Sequence, residues 1–372
     1  MSSVNELLKH ASVSHTVDLT MYSQNVVNRV LKMLNKADGE LFAELIQKLE
    51  TMSISEFQVQ RLEGLLQSIR QMNANVYQQI GRELTAAMRA VAGYESGYQL
   101  ALFTKLIPAP ISKQVRIASV GQDQVYAAAM SRPFQGRLLS EWAQGIGDDR
   151  MTRIRDQIRM GYISNETVDQ IVRRIRGTRA KGYSDGAIEI DRRNAQTVVR
   201  TAVSHTAATA RDQFYKGNLD LIKAISWSAT LDSRTSKICM AHDGLEYDPV
   251  THKPIGHSLP WLGGPGNAHF NCRSVGIPVT KSWKDLTGVE IEEFKPSTRA
   301  SMDGQVPADL TYGDWLKQQS AARQDEIIGP TRARLMRDGK MPFDDMFTNR
   351  GQFLTLEELM MKDAKYFKAA GL

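Results

Sequence analysis

Cysteine is scarce in this chain: two residues in 372, Cys239 and Cys272. That is too few for the disulfide framework of a secreted domain, and it fits a chain made and first used in a reducing cytoplasm. A run of about 18 consecutive apolar residues, the minimum for a spanning helix, is missing. The opening MSSVNELLKHASVSH lacks the apolar centre of a signal peptide. Phosphate cradles are missing from the most glycine-rich stretch, since Gly263, Gly264 and Gly266 fit neither G-x-x-x-x-G-K-[ST] nor G-x-G-x-x-G ahead of a helix. These gaps exclude a disulfide scaffold and leave a folded, soluble protein without a recognisable nucleotide loop.

What is present is ordinary globular material, with 42% hydrophobic and 24% charged residues. A single core usually stops growing at about 250 to 300 residues, so two or three domains are expected. The formal charge of +6 and the isoelectric point near 9.2 favour acidic surroundings such as nucleic acid. The charge is concentrated: from Arg150 to Arg211 there are 12 Arg and 1 Lys against 6 Asp or Glu, so 13 minus 6 leaves +7, more than the excess of the whole chain.

Residues 1–20 show no convincing period and are expected to be an arm or a short helix that orders on a partner. Val26, Val27, Val30, Leu31 and Leu34, then Leu41, Leu45 and Leu49, recur at three and four and predict two helices broken near Asp38 and Gly39. A long helix is predicted to start at Ser53 or Ser55, with Glu56 in capping position, and to carry one apolar stripe from Leu62 to Val91. That stripe suits a helical bundle or a coiled coil with another chain. Pro108 and Pro110 end the pattern and suggest a domain boundary.

Val115 to Ala129 predicts one or two short helices, and Asp148–Met160, Asn165–Arg176 and Arg192–Lys216 predict three more. Gly161 is read as the stop of the first of these three. Ser164, Glu166 and Thr167 open the second, and Gly177 ends it. The stripe Val168, Ile171, Val172 and Ile175 turns Arg173, Arg174 and Arg176 outward, with Arg179 and Lys181 in the loop beyond. These five form either a solvated, dipole-complementing face or a surface for phosphates. Ala224–Ala229 and Ser274–Val279 predict two strands able to pair.

Past Lys281, turns alternate with short helices: one through Gln318–Ile328, one after Pro330, and one over Leu354–Met361 capped by Thr355. Core stripes are weak there, as in a tail that drapes over another surface. The predicted fold is mainly α: an N-terminal helical bundle with a long helix (1–110), a central helical region leading into a small α+β module (111–281, module 224–279), and an extended C-terminal tail with short helices (282–372).

Both cysteines and four of the seven histidines fall between Trp227 and Pro278. Cys239 and His242 form a Cys-x2-His pair, and His269 and Cys272 a His-x2-Cys pair, the spacing for a closed, structural zinc shell. A Cys239–Cys272 disulfide formed late outside the cell, or two reduced packing thiols, fit the same residues. No cofactor apart from that zinc is expected. A nucleophile and base drawn from Cys239 and His205, with Asp232 or Asp243 as orienter, lacks any spacing that would fix the groups side by side, so no catalytic residue is assigned. Asp232-Ser-Arg-Thr235 also fits an Asx-type turn, with Arg234 in a salt bridge.

With these residues in view, the window resembles the phage Mu F-like family of minor head, or head morphogenesis, proteins of tailed bacteriophages. Arg200-Thr201-Ala202 with His205 is similar to the family's Arg-Thr helix. Trp227, the run from Leu231 through Asp232 to Thr235, Cys239, Asp243-Gly244, and Ala268 to Ser274 are similar to its signature in order and spacing. The likeness covers about Pro133 to Pro278. Tail segments after Gly304 and Gly329 resemble extensions of such proteins, and the first 110 residues carry little of it. Ser236 stands where many members place a cysteine.

The resemblance implies a virion protein made in the host cytoplasm and sited in the capsid interior near the portal, in a few copies. It also implies a part in head assembly and DNA packaging or ejection. The implied partners are portal, capsid or scaffold proteins and double-stranded DNA bound without sequence preference, with no membrane during assembly. Trp227, Asp232, Arg234, Asp243 and Arg273 are then the structural motif of a loop-rich clasp, and no enzymatic activity is expected. An injected virion enzyme acting on nucleic acid or a host target through the Cys/His cluster is the alternative, and a nucleoid-style DNA binder a third reading.

Overall fold

The computed structural model describes residues 4–51, 62, 64, 66–134, 136–288 and 298–372. In chain order the elements are α1 (Val4–Glu50), α2 (Gln67–Leu106), α3 (Ala109–Ser112), α4 (Gln122–Ser131), α5 (Leu139–Ile163), α6 (Val168–Arg176), α7 (Glu189–Lys216), β1 (Ile222–Ser228), α8 (Lys237–His242), β2 (Glu246–Tyr247), β3 (Pro254–Ile255), β4 (Val275–Thr280), α9 (Trp283–Thr287), β5 (Thr298–Ser301), β6 (Gly304–Pro307), α10 (Tyr312–Lys317), α11 (Ala321–Ile328), α12 (Pro330–Arg337), α13 (Leu356–Lys362) and α14 (Ala364–Ala369). The protein is mainly α with a small antiparallel sheet, as its periodicities predict. Among the described residues no helix is long and apolar enough to cross a membrane.

The chain forms two compact units. One takes residues up to Leu19, Ala92–Val125 and Ser204–Leu372; the other takes Thr20–Val91 and Tyr126–Val203. The division differs from the sequential one at residues 110 and 281, because α1, α2, α4 and α7 each contribute a stretch to both units.

In the all-helical unit the predicted break at Asp38 and Gly39 does not occur, and α1 runs on to Glu50. A mid-helix glycine costs about 1 kcal/mol, which burial of the flanking stripe outweighs. Asp38 is buried and serves as an anchor: Arg150 of α5 pairs with it, and Arg192 of α7 donates to its other oxygen at 2.6 Å. Leu41, Leu45 and Leu49 pack with Leu62, Leu66 and Ile69, with Ile154 and Ile158, and with Ile171, Val172 and Ile175. The long stripe is therefore covered within the chain. The caps expected at Ser53 or Ser55 lie outside the described residues.

Gly161 is not a stop. Helix α5 continues to Ile163, and a Cβ at position 161 would collide with the Ile171 side chain of α6, so the glycine sets the close approach of the two helices. Helix α6 ends as predicted, at Gly177 with φ +90°, but it starts at Val168 and not at Asn165: Thr167 caps its N-terminus with Gln170 reaching back, and Asn165 is left-handed at φ +54°.

In the other unit the first residues are not a free arm. Val4 and Leu8 of α1 pack with Phe103, Ile107, Phe214 and Trp283 under β1. Beside them Glu95, fully buried in α2, accepts hydrogen bonds from His15 Nε2 (2.7 Å), Gln99 Nε2 (2.8 Å) and Arg211 Nε (2.7 Å). Burial alone would raise the Glu95 carboxyl, but the Arg211 charge and the His15 hydrogen bond outweigh it and hold the group below its ordinary value.

The sheet has the order β3-β2-β1-β4, all pairs antiparallel, and the predicted pairing of its two longer strands is present with Ile225 opposite Pro278. Pro278, which has no N–H, sits in an edge strand. The tail departs from its expectation, for it folds into a core of its own. Tyr312, Trp315, Leu316, Leu335, Met336, Phe343, Met346, Leu359 and Phe367 bury one another together with Leu231 and Met240. Sparse aromatic and Met residues supply this core without a helical stripe.

Replacing Asp38 with Ala strands the Arg150 guanidinium, whose side chain is 1% exposed. The expected loss is about 3–5 kcal/mol, read as a lowered denaturation midpoint. A midpoint unchanged from the wild type would contradict the anchoring role.

Candidate functional site

The site is built on the turn after β1. Asp232 Oδ1 accepts from the Arg234 N–H (3.0 Å) and the Thr235 hydroxyl (3.1 Å), the predicted Asx-type turn. Arg273, just before β4, then grips both carboxylate oxygens, at 2.5 and 2.8 Å. Burial would raise the Asp232 carboxyl, but the hydrogen bonds and charge of Arg273 outweigh it and hold the group below the ordinary range. The Arg234 side chain is 82% exposed and 3.8 Å from Asp232, so the bridge proposed for it is peripheral and Arg273 carries the role.

Asp243, after α8, is a second junction. Its carboxylate accepts from the Ala229 N–H at 2.7 Å, from the Tyr312 N–H at 2.7 Å and from Arg299 at 3.3 Å, with both charged side chains 1% exposed. Arg299 also donates to the carbonyls of Ala229 and Leu310. The Tyr312 hydroxyl donates to the Asp232 carbonyl at 2.9 Å, so the tail locks both turns. Sequence reading missed Arg299: it is a lone arginine in a polar run, and no local spacing points to Asp243, 56 positions earlier.

Trp227 is buried in β1 against His242 (centroids 4.6 Å) and Trp261 (6.0 Å). Ser236 caps α8 by accepting from the Cys239 N–H at 3.3 Å, which turns the Cys239 side chain inward. In the closing loop, Asn271 adopts a left-handed φ of +55° that bends the chain so that the Cys272 N–H reaches the His269 carbonyl at 3.2 Å. The result places Cys239 Sγ 3.7 Å from Cys272 Sγ and 3.2 Å from His269 Nε2, while Ser236 Oγ lies 2.7 Å from the same nitrogen. The two cysteines are free thiols. The Cys239 thiol hydrogen bond and His269 draw the Cys272 thiol well below its ordinary value, and that same contact together with burial pushes Cys239 up.

His242 is not in this group. Its Nδ1 faces the Ile238 carbonyl at 2.7 Å and its Nε2 the Pro260 carbonyl at 3.0 Å, so both nitrogens are used inside the fold. The Cys239, His242, His269, Cys272 set thus reduces to three converging ligands, Cys239, His269 and Cys272. The spacing misled because it fixes only that Cys239 and His242 share a face of α8, whereas the His242 ring faces the Ile238 and Pro260 carbonyls instead of the sulfurs. His205, the other candidate base, bonds Asn267 at 3.0 Å.

Of the five basic residues singled out, Arg174 is paired with Glu166, and Arg176 lies over the rings of Phe42 and Tyr183 at 5.7 and 4.9 Å. Arg173 pairs with Asp169 at an exposed i,i+4 contact. Arg179 and Lys181 are exposed in the short 3-10 turn that follows α6.

Residues 152–277 match a family model described as Phage Mu protein F like protein. The matched segment runs from the middle of α5 through the Asp232 turn and the Cys/His group to the first half of β4. This central segment is therefore similar to phage Mu F-like proteins, and the first 151 residues and the tail lie outside the match. No curated protein and no solved structure matches it.

Because the folded Asp232 carboxyl is lowered, its contribution to stability is present above its unfolded value, about pH 4, and is lost as pH falls through the lower folded value. Melting temperatures followed from about pH 5 downward should therefore fall less steeply for Asp232→Asn than for the wild type. Parallel slopes would show that the Arg273 pair does not set this part of the acid response.

Proposed function

We propose that this protein is a minor structural component of a phage head, present in a few copies inside the capsid near the portal. In this reading it assembles with portal, capsid or scaffold proteins and takes part in head assembly and DNA packaging or ejection. The observation that carries it is the family match over residues 152–277, which includes the Asp232 turn, Asp243, the Cys/His group and Arg273.

A structural rather than catalytic role is supported by how the reactive groups are used. Cys239 and Cys272 are 2% and 1% exposed, and the Asp232 and Asp243 carboxylates are committed to Arg273 and Arg299. An injected enzyme working through the Cys/His group would need those thiols or carboxylates free to meet a substrate. The exposed edge at Arg173, Arg179 and Lys181 offers a patch for packaged double-stranded DNA, read through phosphates and so without base preference.

Quantitative mass spectrometry of purified virions should find the protein at a copy number far below that of the major capsid protein, and a null mutant should yield heads defective in packaging or ejection. Complete absence from particles together with normal heads would sink the proposal. For the DNA contact, changing Arg173, Arg179 and Lys181 to Gln should weaken binding to unrelated duplexes alike and flatten the log–log salt slope by about 0.9 per lost phosphate contact. Unchanged affinity and slope would remove this surface from the reading.

A further inference from the structure

We propose that Cys239, His269 and Cys272 hold one zinc ion, with Ser236 facing its fourth coordination position. This inference concerns the stability of the clasp and does not depend on the role of the protein in the head.

The spacing of the sulfurs comes first. Two thiolates bound to one tetrahedral zinc at about 2.3 Å each stand about 3.8 Å apart. Cys239 Sγ and Cys272 Sγ are 3.7 Å apart. A disulfide requires about 2.05 Å, so this pair is held open at the distance a shared ion needs. His269 Nε2 lies on the same side of both, and the three ligand atoms fall within 4.8 Å of one another.

The histidine is also presented in the right form. His269 Nδ1 is 2.8 Å from the Phe270 carbonyl, an acceptor only, so Nδ1 carries the proton and donates it there. The unprotonated Nε2 then lies 3.2 Å from Cys239 Sγ and 2.7 Å from Ser236 Oγ, with Cys272 Sγ within 4.8 Å, and so faces the space these groups enclose. A backbone carbonyl fixing the far nitrogen is the usual outer support of a metal-bound imidazole. His242 fails the same test, since carbonyls occupy both its nitrogens.

Support extends to the sulfurs. The Gly266 N–H donates to Cys272 Sγ at 3.3 Å, and Gly266 can aim it there because its φ is +87°. A Cβ at that position would stand 3.1 Å from the Ala208 methyl, so close packing and left-handed backbone both restrict the site to glycine. Two thiolates and a neutral imidazole balance a divalent cation, which leaves the buried site without net charge. The soft donor set selects zinc over calcium or magnesium.

The clasp gives such an ion something to hold. Between β1 and β4 regular structure is limited to α8 and the two-residue strands β2 and β3, and the local core is small: Trp227, Ala229, Tyr247 and Ala268 around the two cysteines. One ion would join α8 to the loop 30 residues later. Ser236 Oγ, 2.7 Å from His269 Nε2, supplies a hydroxyl or a water at the remaining corner.

The full-length chain, purified under reducing conditions without chelator, should contain about one zinc per molecule by plasma mass spectrometry. Cobalt(II) added to the demetallated chain should give the intense visible bands of a tetrahedral thiolate site. His269→Ala and Cys272→Ser should lose the metal. If those variants fail to fold, Ser236→Cys decides: a third thiolate should raise the zinc affinity, measured by competition with a chelating dye, at least about tenfold. A folded, reduced wild-type chain that takes up neither zinc nor cobalt would overturn the proposal. So would a native Cys239–Cys272 disulfide, or binding that survives both ligand substitutions. An unchanged affinity in Ser236→Cys would refute the placement of the fourth position.

Discussion

The buried Asp243 carboxylate is the constraint on which the clasp and tail depend. A carboxylate removed from water costs several kcal/mol unless its lone pairs are used and its charge is met. Here the Ala229 and Tyr312 N–H groups and the Arg299 guanidinium do both. Those three partners come from the end of β1, the start of α10 and strand β5, so one charge fixes three segments far apart in sequence. The aromatic core of the tail, from Tyr312 to Phe367, then covers this junction and keeps water from competing with it.

The same economy explains much of the basic character of the central segment. Its excess of +7 suggests a surface for polyanions, yet several arginines serve inside the molecule. Arg150 and Arg192 share Asp38, Arg153 takes Asp191, Arg174 takes Glu166 and Arg211 takes Glu95. Guanidinium suits this work because its planar fork can satisfy a carboxylate while remaining charged. The exposed basic side chains, among them Arg173, Arg179, Lys181 and Arg193, are fewer than the linear charge count implies.

The clasp itself has two linked parts. The Asp232 turn, gripped by Arg273, brings the residue just before Ser274 and β4 beside the turn after β1. The same closure sets the His269–Cys272 turn against α8, where Cys239, His269 and Cys272 converge. The cysteines pack with Trp227 and Tyr247 in a small core that shields the thiols from solvent.

Sequence by itself determined the helical character of the protein, the pairing of β1 with β4, the caps at Thr167 and Thr355, the Asp232 turn and the family signature. The helices, caps, turn and the two strand segments are written in residues a few positions apart, where periodicity, capping and turn chemistry act; that β1 and β4 can pair followed from both segments being β-prone. Tertiary structure alone decided that Asp38 and Gly39 stay within one helix, because the partners of Asp38 arrive more than a hundred residues later. It also decided that Gly161 is a contact and not a stop, that the tail has its own core, and that Arg299 meets Asp243. The same holds for the ligand set. Spacing nominated His242, but the turn of α8 pointed its ring at two carbonyls and left Ser236 beside His269 instead. Spacing gives the types of donor available within a turn or two, whereas which of them share a point in space depends on long-range closure by buried charge.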